Sequence, residues 1–214
     1  MRPDPKPIHE KIAERAKITT KVGDQPLWEG YGQGAATRTP DQVKTQPEMG
    51  LAYSQLIEQI RPAVVVEFGT AFGMSGMYWL AGLELNGSGH LYTFDPNQVW
   101  ADLARENLSA ISDRFTLTIG TFEDNVGILP GPIDFAFIDA IHTSDFVKPQ
   151  FDIVASRSGP GASWCSTTSA SPETCVTAGM LSRSIPGCVR RRCSAVGSAL
   201  WSWPEGFAGK VLSR

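Results

Sequence analysis

Short apolar segments alternate with helical segments through the middle of this 214-residue chain. The apolar segments read AVVVEFG, GHLYTFD, FTLTIG and IDFAFIDA, and they are nearly continuous in apolar, aromatic and β-branched residues. Strands of this kind are buried on both faces, and their alternation with helices favours a parallel sheet covered on both sides. The pattern therefore predicts an α/β, doubly wound fold.

The sequence divides into three parts by its periodicity. Residues 1–45 carry a short amphipathic helix from about Ile8 to Ala16 and then a glycine-rich segment with Trp28 and Tyr31, which predicts an arm or lid. Residues 46–157 carry a helix over residues 48–60 and then the alternating strands and helices, so they form the predicted core. Residues 158–214 have neither a two-residue nor a 3.6-residue apolar period and form an atypical C-terminal segment.

Charge and composition limit the classes of partner that the protein is expected to bind. The formal net charge is -3, and no stretch interleaves basic with aromatic residues, so a nucleic-acid partner is not expected. No apolar run reaches membrane length, and the polar N-terminus lacks the apolar region of a signal peptide. We therefore expect a cytoplasmic protein whose partner is a small molecule.

The segment VVVEFGTAFGMSG joins the first predicted strand to the helix that follows it. In an open parallel sheet the ligand lies beyond the carboxyl ends of the strands, where Gly69 and Gly73 permit a tight turn. The backbone N–H groups of such a turn can face an anionic group, and the Ser75 hydroxyl can add to them. The middle glycine of the dinucleotide fingerprint is missing, which disfavours a nicotinamide dinucleotide, while Glu67 suits a ligand with an ammonium group.

The order E-x-G-x-x-x-G-x-S, from Glu67 to Ser75, resembles motif I of class I S-adenosylmethionine-dependent methyltransferases, especially the small O-methyltransferases of the catechol type. The resemblance runs from about Gln46 to Ala155. It implies a Rossmann-like sheet, S-adenosylmethionine as cofactor and methyl transfer to the oxygen of a small hydroxylated acceptor.

The resemblance also implies a set of cofactor-binding residues. Asp95, about 20 residues beyond the glycine loop, corresponds to the acid that binds the ribose hydroxyls, although Asp95-Pro96 also has the pattern of a turn start. Phe122 is equally suited to an adenine platform and to the core. The full cofactor set is Glu67, Gly69, Thr70, Ala71, Phe72, Gly73, Ser75, Asp95, Thr121, Phe122, Glu123 and Asp139.

Asp139 and His142 are the catalytic candidates, because the family places an aspartate at the tip of the fourth strand and a histidine shortly after it. A histidine at this distance from a strand end is equally well a solvated loop residue. In metal-dependent members an Asp-Asp or Asp-Asn pair follows the next strand, where this chain reads SWCSTTSAS. Asp139 remains a candidate ligand for a divalent metal such as Mg²⁺, but the site is incomplete.

The C-terminal segment fits the family better in another reading frame. Trp164 has a single codon, so the last base of that codon with the first two of Cys165 must encode valine. Permitted codons then continue as a string such as VLDDIGFAGDMRDCW, which restores the acidic pair. We interpret the tail as frame-shifted; the alternative is a genuine C-terminus of unusual composition. We expect its strands to be missing or atypical and the open sheet edge to favour association between copies.

Three other functions remain open. A non-catalytic cofactor-binding protein would keep the glycine loop and lack turnover. An enzyme similar to cephalosporin hydroxylase would use a related fold with iron and oxygen. A Rossmann dehydrogenase is the weakest alternative, because the middle glycine is absent.

Overall fold

The structure is a computed structural model that describes residues 3–31, 36–139, 144–168, 171–177, 189–192 and 199–202. The helices in chain order are α1 (Lys6–Thr19), α2 (Pro40–Val43), α3 (Pro47–Ile60), α4 (Met74–Asn86), α5 (Gln98–Ile111), α6 (Phe122–Asn125) and α7 (Ser144–Arg157). The strands are β1 (Gln25–Pro26), β2 (Thr37–Arg38), β3 (Val64–Phe68), β4 (His90–Asp95), β5 (Phe115–Ile119), β6 (Ile133–Ile138), β7 (Ser158–Thr168), β8 (Ser171–Thr177), β9 (Val189–Arg192) and β10 (Ala199–Ser202). Short 3-10 helices cover Glu29–Tyr31 and Val126–Ile128.

The central sheet has the strand order β5-β4-β3-β6-β7-β8-β10-β9. The first five strands in this order are parallel to one another. The chain builds outward from β3 to β4 and β5, and then returns to place β6 on the other side of β3. The strand order reverses between β3 and β6, which is where open α/β sheets form their ligand crevice. The predicted doubly wound, Rossmann-like sheet is confirmed.

Two apolar clusters cover the two faces of the sheet. One lies under α1, α3, α4 and α5 and includes Ile12, Trp79 and Phe135. The other lies under α6 and α7 and includes Phe68, Phe122 and further aromatic and aliphatic side chains. Because both faces are covered, β3 is buried at all five positions, as its continuous apolar sequence requires.

Element boundaries agree with the sequence patterns in the core and extend them in the arm. The helix expected over residues 48–60 begins at Pro47, with proline in its first turn, and ends at Arg61 in a left-handed conformation with φ 50°. The arm helix reaches from Lys6 to Thr19, so it is longer than its sequence pattern indicated, and Ile12 is fully buried against the core.

The C-terminal segment does form strands, contrary to the expectation that they would be lost. β7 pairs parallel with β6, and β8, β10 and β9 then continue the sheet as antiparallel neighbours. The arrangement agrees with the other expectation, an atypical end to a parallel sheet. No observation on the described residues tests the shifted reading frame, which stays a prediction.

Helices α3 and α4 pack closely because glycine stands at their contact. A Cβ atom at Gly82 would lie 2.6 Å from Cβ of Ile57 and 2.7 Å from the carbonyl oxygen of Ser54. The second neighbour is backbone and cannot move aside as a flexible side chain can. The close approach of the two helices therefore depends on glycine at this position.

Gly82→Ala is expected to destabilise the protein by about 1–3 kcal/mol, because overpacking against the backbone outweighs the gain in helix propensity of about 1 kcal/mol. Urea unfolding measures the loss. The matched control is Gly127→Ala, where no atom lies within 4 Å of the added carbon. A Gly82→Ala protein as stable as the parent would contradict this packing account.

Candidate active site

Two cavities lie side by side at the carboxyl ends of the parallel strands. The first, which we call the aromatic cavity, is lined by residues of the arm, the ends of β3 to β5, and α6 and α7, among them Trp28, Tyr31, Asp95, Trp100, Phe122, Glu123 and Gln150. The second, the loop cavity, is lined by residues of the glycine loop and the segment before α3, among them Val43, Thr45, Thr70, Phe72 and Ser75. Gly69, Ala71 and Asp139 line both cavities.

The glycine loop has the backbone that its sequence indicates. Gly69 and Gly73 have φ values of 89° and 75°, in the left-handed region that glycine tolerates. Ala71 also has a positive φ, 47°, which is uncommon for a residue with a side chain and stores strain in the loop. The N–H groups of Gly69 and Thr70 both donate to the carbonyl oxygen of Phe94, so the loop is fixed to the end of β4.

Glu67 lies beneath the loop and is fully buried. Its Oε1 accepts hydrogen bonds from the Ser75 hydroxyl at 2.6 Å and the Trp79 indole N–H at 2.9 Å, and its Oε2 accepts from the Thr93 hydroxyl at 2.7 Å. Burial raises the pKa of Glu67 from its usual 4.5 to about 7, although these donors act in the opposite direction.

The structure places Glu67 behind Ser75 rather than on a cavity wall. Ser75 lines the loop cavity, and neither Glu67 nor Gly73 contributes to the lining of either cavity. Gly73 instead packs on α5, where an added Cβ would lie 3.2 Å from the Ala104 backbone. A ligand in the loop cavity would therefore meet Glu67 only through the hydroxyl that Glu67 orients.

Asp95 ends β4 and lines the aromatic cavity while only 5% exposed. Its Oδ2 accepts from the N–H of Ala71 at 2.7 Å, and its Oδ1 accepts from the N–H of Asn97 at 2.8 Å. The first bond holds the strained residue of the glycine loop in place. Burial raises the pKa of Asp95 to about 6, against the effect of the two backbone N–H groups. A carboxylate held in this way keeps lone pairs for a ligand hydroxyl.

The β5 side of the aromatic cavity combines packing with polar groups. Phe122 is 2% exposed and meets Phe68 and Phe94 edge-on, with ring centroids 4.0 and 5.2 Å apart, so it belongs to the core and lines the cavity at once. The Thr121 hydroxyl caps α6 by accepting from the N–H of Asp124. Glu123 accepts a hydrogen bond from the side chain of Gln150 at 3.0 Å.

Two buried polar atoms of the aromatic cavity have no hydrogen-bond partner among the described residues. One is the indole N–H donor of Trp100, whose ring packs against Phe72 at a centroid distance of 4.6 Å. The other is the side-chain oxygen of Gln150, an acceptor. A buried group left unpaired is costly, so the cavity is suited to a ligand that offers both an acceptor and a donor.

The arm closes the outer side of the aromatic cavity. The side-chain amide of Asn97 donates to the carbonyl oxygen of Pro26 at 2.7 Å and ties β1 to the start of α5. Trp28 and Tyr31 follow and line the cavity. Burial and the carboxylates of Asp139 and Asp95 raise the pKa of Tyr31, while Arg38 lowers it, so the phenol lies within reach of both acids' fields.

A second polar link joins α1 to the glycine loop. Asn107 on α5 is fully buried, and its amide nitrogen donates to the carbonyl oxygen of Phe72 at 2.8 Å and to the Thr19 hydroxyl at 2.9 Å. Its amide oxygen accepts from Nε of Arg15 at 2.9 Å. The arm and the loop are therefore fixed to the same side chain.

Asp139 lies where the two cavities meet, and its N–H donates to the carbonyl oxygen of Phe68 at 3.0 Å. His142, the other catalytic candidate, lies outside the described residues. Within the described part of the chain, no three His, Cys, Asp or Glu residues cluster as metal ligands. The described residues thus do not supply the ligand set that Mg²⁺ requires beside Asp139.

Several residues of this site were not predicted from sequence. Trp100 and Gln150 lie on helices, and Thr93 lies inside β4, so no local motif distinguishes them from core positions. Asn97 carried a weak signal, because an Asn just before a helical segment is a common N-cap, and its side chain does accept from the N–H of Trp100.

Comparison with known proteins finds methyltransferase domains that share this fold. Residues 66–165 match a family model described as a methyltransferase domain. The match ends at Cys165, next to the Trp164 codon where the shifted frame would begin. Residues 158–165 of the C-terminal segment fall within the match and the residues after Cys165 lie beyond it, which agrees with the predicted departure of this segment from the family.

Solved structures share the fold. An O-methyltransferase from Bacillus cereus in complex with SAH has a TM-score of 0.55 at 22% identity, over 77% of this chain and 66% of that one. The O-methyltransferase TomG from Streptomyces achromogenes, in complex with SAM, has a TM-score of 0.54 at 17% identity, over 73% and 64%. A methyltransferase from Geobacter sulfurreducens has a TM-score of 0.57 at 13% identity, over 91% and 89%.

The aligned chain covers less than two thirds of the first two of these proteins. At such identities the similarity establishes the fold. The activity and the methyl acceptor must be inferred from the residues of the site. Among the described residues, no helix combines the length and the hydrophobicity needed to cross a membrane.

The buried carboxyl of Glu67 predicts a specific pH dependence of stability. The unfolded chain releases this proton near pH 4.5, and the folded protein keeps it to about pH 7, so the unfolded state binds fewer protons in this interval. The contribution of Glu67 to the free energy of unfolding is fully present below pH 4.5. It falls by on the order of 2–3 kcal/mol as the pH rises to about 7. Glu67→Gln should abolish this contribution.

Urea unfolding of both proteins from pH 5 to 8 measures the effect as the difference between the two curves, in which the contributions of Asp95 and the histidines cancel. The wild type should lose stability relative to Glu67→Gln as the pH rises. Glu14→Gln, at an exposed position of α1, is the control and should follow the wild type. Parallel curves for Glu67→Gln and the wild type would show that Glu67 is ionised throughout.

Proposed function

We propose that the protein is an O-methyltransferase that transfers the methyl group of S-adenosylmethionine to a small hydroxylated acceptor. The observation that carries the proposal is Asp95, a buried carboxylate at the end of β4 that is held by two backbone N–H groups and faces the aromatic cavity next to the glycine loop. A carboxylate at this position of an open α/β sheet suits the two hydroxyls of a ribose.

The two cavities supply places for the two halves of the cofactor. The adenosine would occupy the aromatic cavity, with its ribose at Asp95 and its base beside Phe122. The methionine part would occupy the loop cavity, where Ser75 lies on the wall. Asp139 lines both cavities, so the sulfonium between the two halves would lie near its carboxylate.

Transfer of the methyl group requires in-line placement of the acceptor oxygen and removal of its proton. The bond from oxygen to the methyl carbon forms as the bond from sulfur breaks, and S-adenosylhomocysteine is released. Asp139 would accept the proton or orient the hydroxyl, a role supported by its position in the lining of both cavities. Trp28 and Tyr31 of the arm would exclude water from the cofactor side.

A non-catalytic cofactor-binding protein is the second candidate. It is favoured by the incomplete metal-ligand set around Asp139, since an enzyme of the metal-dependent type would need further carboxylates. Such a protein would bind S-adenosylhomocysteine and show no turnover. In either case we propose a small-molecule ligand, a cytoplasmic location and association between copies.

Calorimetry on the purified protein tests the cofactor, and a panel of phenolic acceptors tests the reaction. We expect S-adenosylmethionine and S-adenosylhomocysteine to bind, a nicotinamide dinucleotide not to bind, and at least one phenolic acceptor to be methylated. Binding of the dinucleotide alone would refute the proposal. Cofactor binding without turnover on the full panel, with or without Mg²⁺, would support the second candidate.

Asp95→Ala is expected to weaken S-adenosylhomocysteine binding by about 1.5–3 kcal/mol, because it removes a charged hydrogen bond to the ribose. Asp95→Asn retains one acceptor and should lose less. Calorimetry gives the affinities, and thermal unfolding confirms that each variant is folded. The control is Asp102→Ala, an exposed carboxylate on α5. Unchanged affinity in Asp95→Ala would move the ribose contact to another residue.

A further inference from the structure

Gln150 is a buried polar residue of the aromatic cavity that neither the sequence motifs nor the family match assigns. It lies on α7 and is 5% exposed. Its side-chain nitrogen donates to Oε1 of Glu123 at 3.0 Å, and its side-chain oxygen is buried with no partner among the described residues. Both residues line the cavity.

Glu123 fixes which end of the Gln150 amide is available. A carboxylate only accepts hydrogen bonds, so the amide nitrogen must face Glu123 and the oxygen must point elsewhere. The unpartnered atom is therefore the amide oxygen, a hydrogen-bond acceptor, because the reversed amide would place this oxygen against the carboxylate. An acceptor kept buried in this state is stabilised when a ligand brings a donor to it.

The position of Gln150 in the cavity indicates which part of a ligand it meets. Asp95 and the glycine loop lie at the ends of β4 and β3, whereas Glu123 lies on α6, which follows β5, and Gln150 lies on α7, which follows β6 and packs against α6. A nucleoside whose ribose meets Asp95 and whose base lies along Phe122 would direct the far edge of the base towards Gln150.

We propose that Gln150, oriented by Glu123, is the specificity residue that recognises the 6-amino group of adenine. This inference rests on the proposed function, since it requires adenosine in the aromatic cavity. The amino group is a donor and matches the free oxygen of Gln150. A 6-oxo purine presents an acceptor at the same position, so it would oppose that oxygen and leave both atoms unpaired.

Calorimetry with two ligands, S-adenosylhomocysteine and S-inosylhomocysteine, tests the inference. The wild type should bind the adenosyl ligand roughly tenfold or more tightly than the inosyl ligand. Gln150→Met retains the size and removes the amide, so it should weaken the adenosyl ligand by roughly tenfold, leave the inosyl ligand unchanged and bring the ratio near unity. Gln59→Met, at an exposed position of α3, is the matched control and should keep the wild-type ratio.

Glu123→Gln provides a second test that does not change Gln150 itself. An amide at position 123 can donate as well as accept, so the amide of Gln150 can adopt either orientation. The ratio of the affinities for the adenosyl and inosyl ligands should therefore decrease. A residue with a merely structural role would alter both affinities together and leave the ratio unchanged.

The outcomes separate the inference from the proposed function. If the folded wild type binds neither ligand, the proposed function fails and the inference fails with it. If the wild type binds both ligands equally, or if Gln150→Met weakens both by the same factor, cofactor binding stands and the role of Gln150 is overturned.

Discussion

The buried carboxyl of Glu67 is the interaction on which the site depends. It joins three elements, because its partners Ser75 and Trp79 lie on α4, Thr93 lies on β4, and Glu67 itself lies on β3. Burial disfavours the charge and raises the pKa to about 7, and three donors offset part of that cost. The glycine loop spans the gap between these anchored elements, so its shape follows from a contact at a residue that lines neither cavity.

The loop is held from its other sides by two further polar contacts. Asp95 accepts from the N–H of Ala71, the strained residue, and Asn107 donates to the carbonyl oxygen of Phe72. Asn107 also bonds Thr19 of α1, and Asn97 bonds Pro26 at the start of the arm. Side chains of the core thus position both the loop and the arm that covers the cavity, which is the preorganisation that a cofactor site requires.

The sequence was sufficient to predict strands β3 to β6, the glycine loop and the acidic residue at the end of β4, because each has a local pattern. Helix α7 was not predicted, because Pro149 interrupts the helical spacing of its apolar residues. The strands after α7 were not predicted either, because their sequences have no apolar period that indicates a strand. The three partners of Glu67 stand 8, 12 and 26 residues away along the chain, and Glu123 and Gln150 are 27 residues apart, so only the folded chain brings these pairs together. The predicted roles of Asp139 and His142 stay predictions.

The most direct test of the account is a crystal structure of the protein with S-adenosylhomocysteine. We expect the ribose hydroxyls within hydrogen-bond distance of Asp95, the homocysteine in the loop cavity beside Ser75, and the 6-amino group at Gln150, with Glu67 still covered by Ser75. A complex in which the nucleoside lies outside the aromatic cavity, or in which Glu67 itself contacts the ligand, would contradict it.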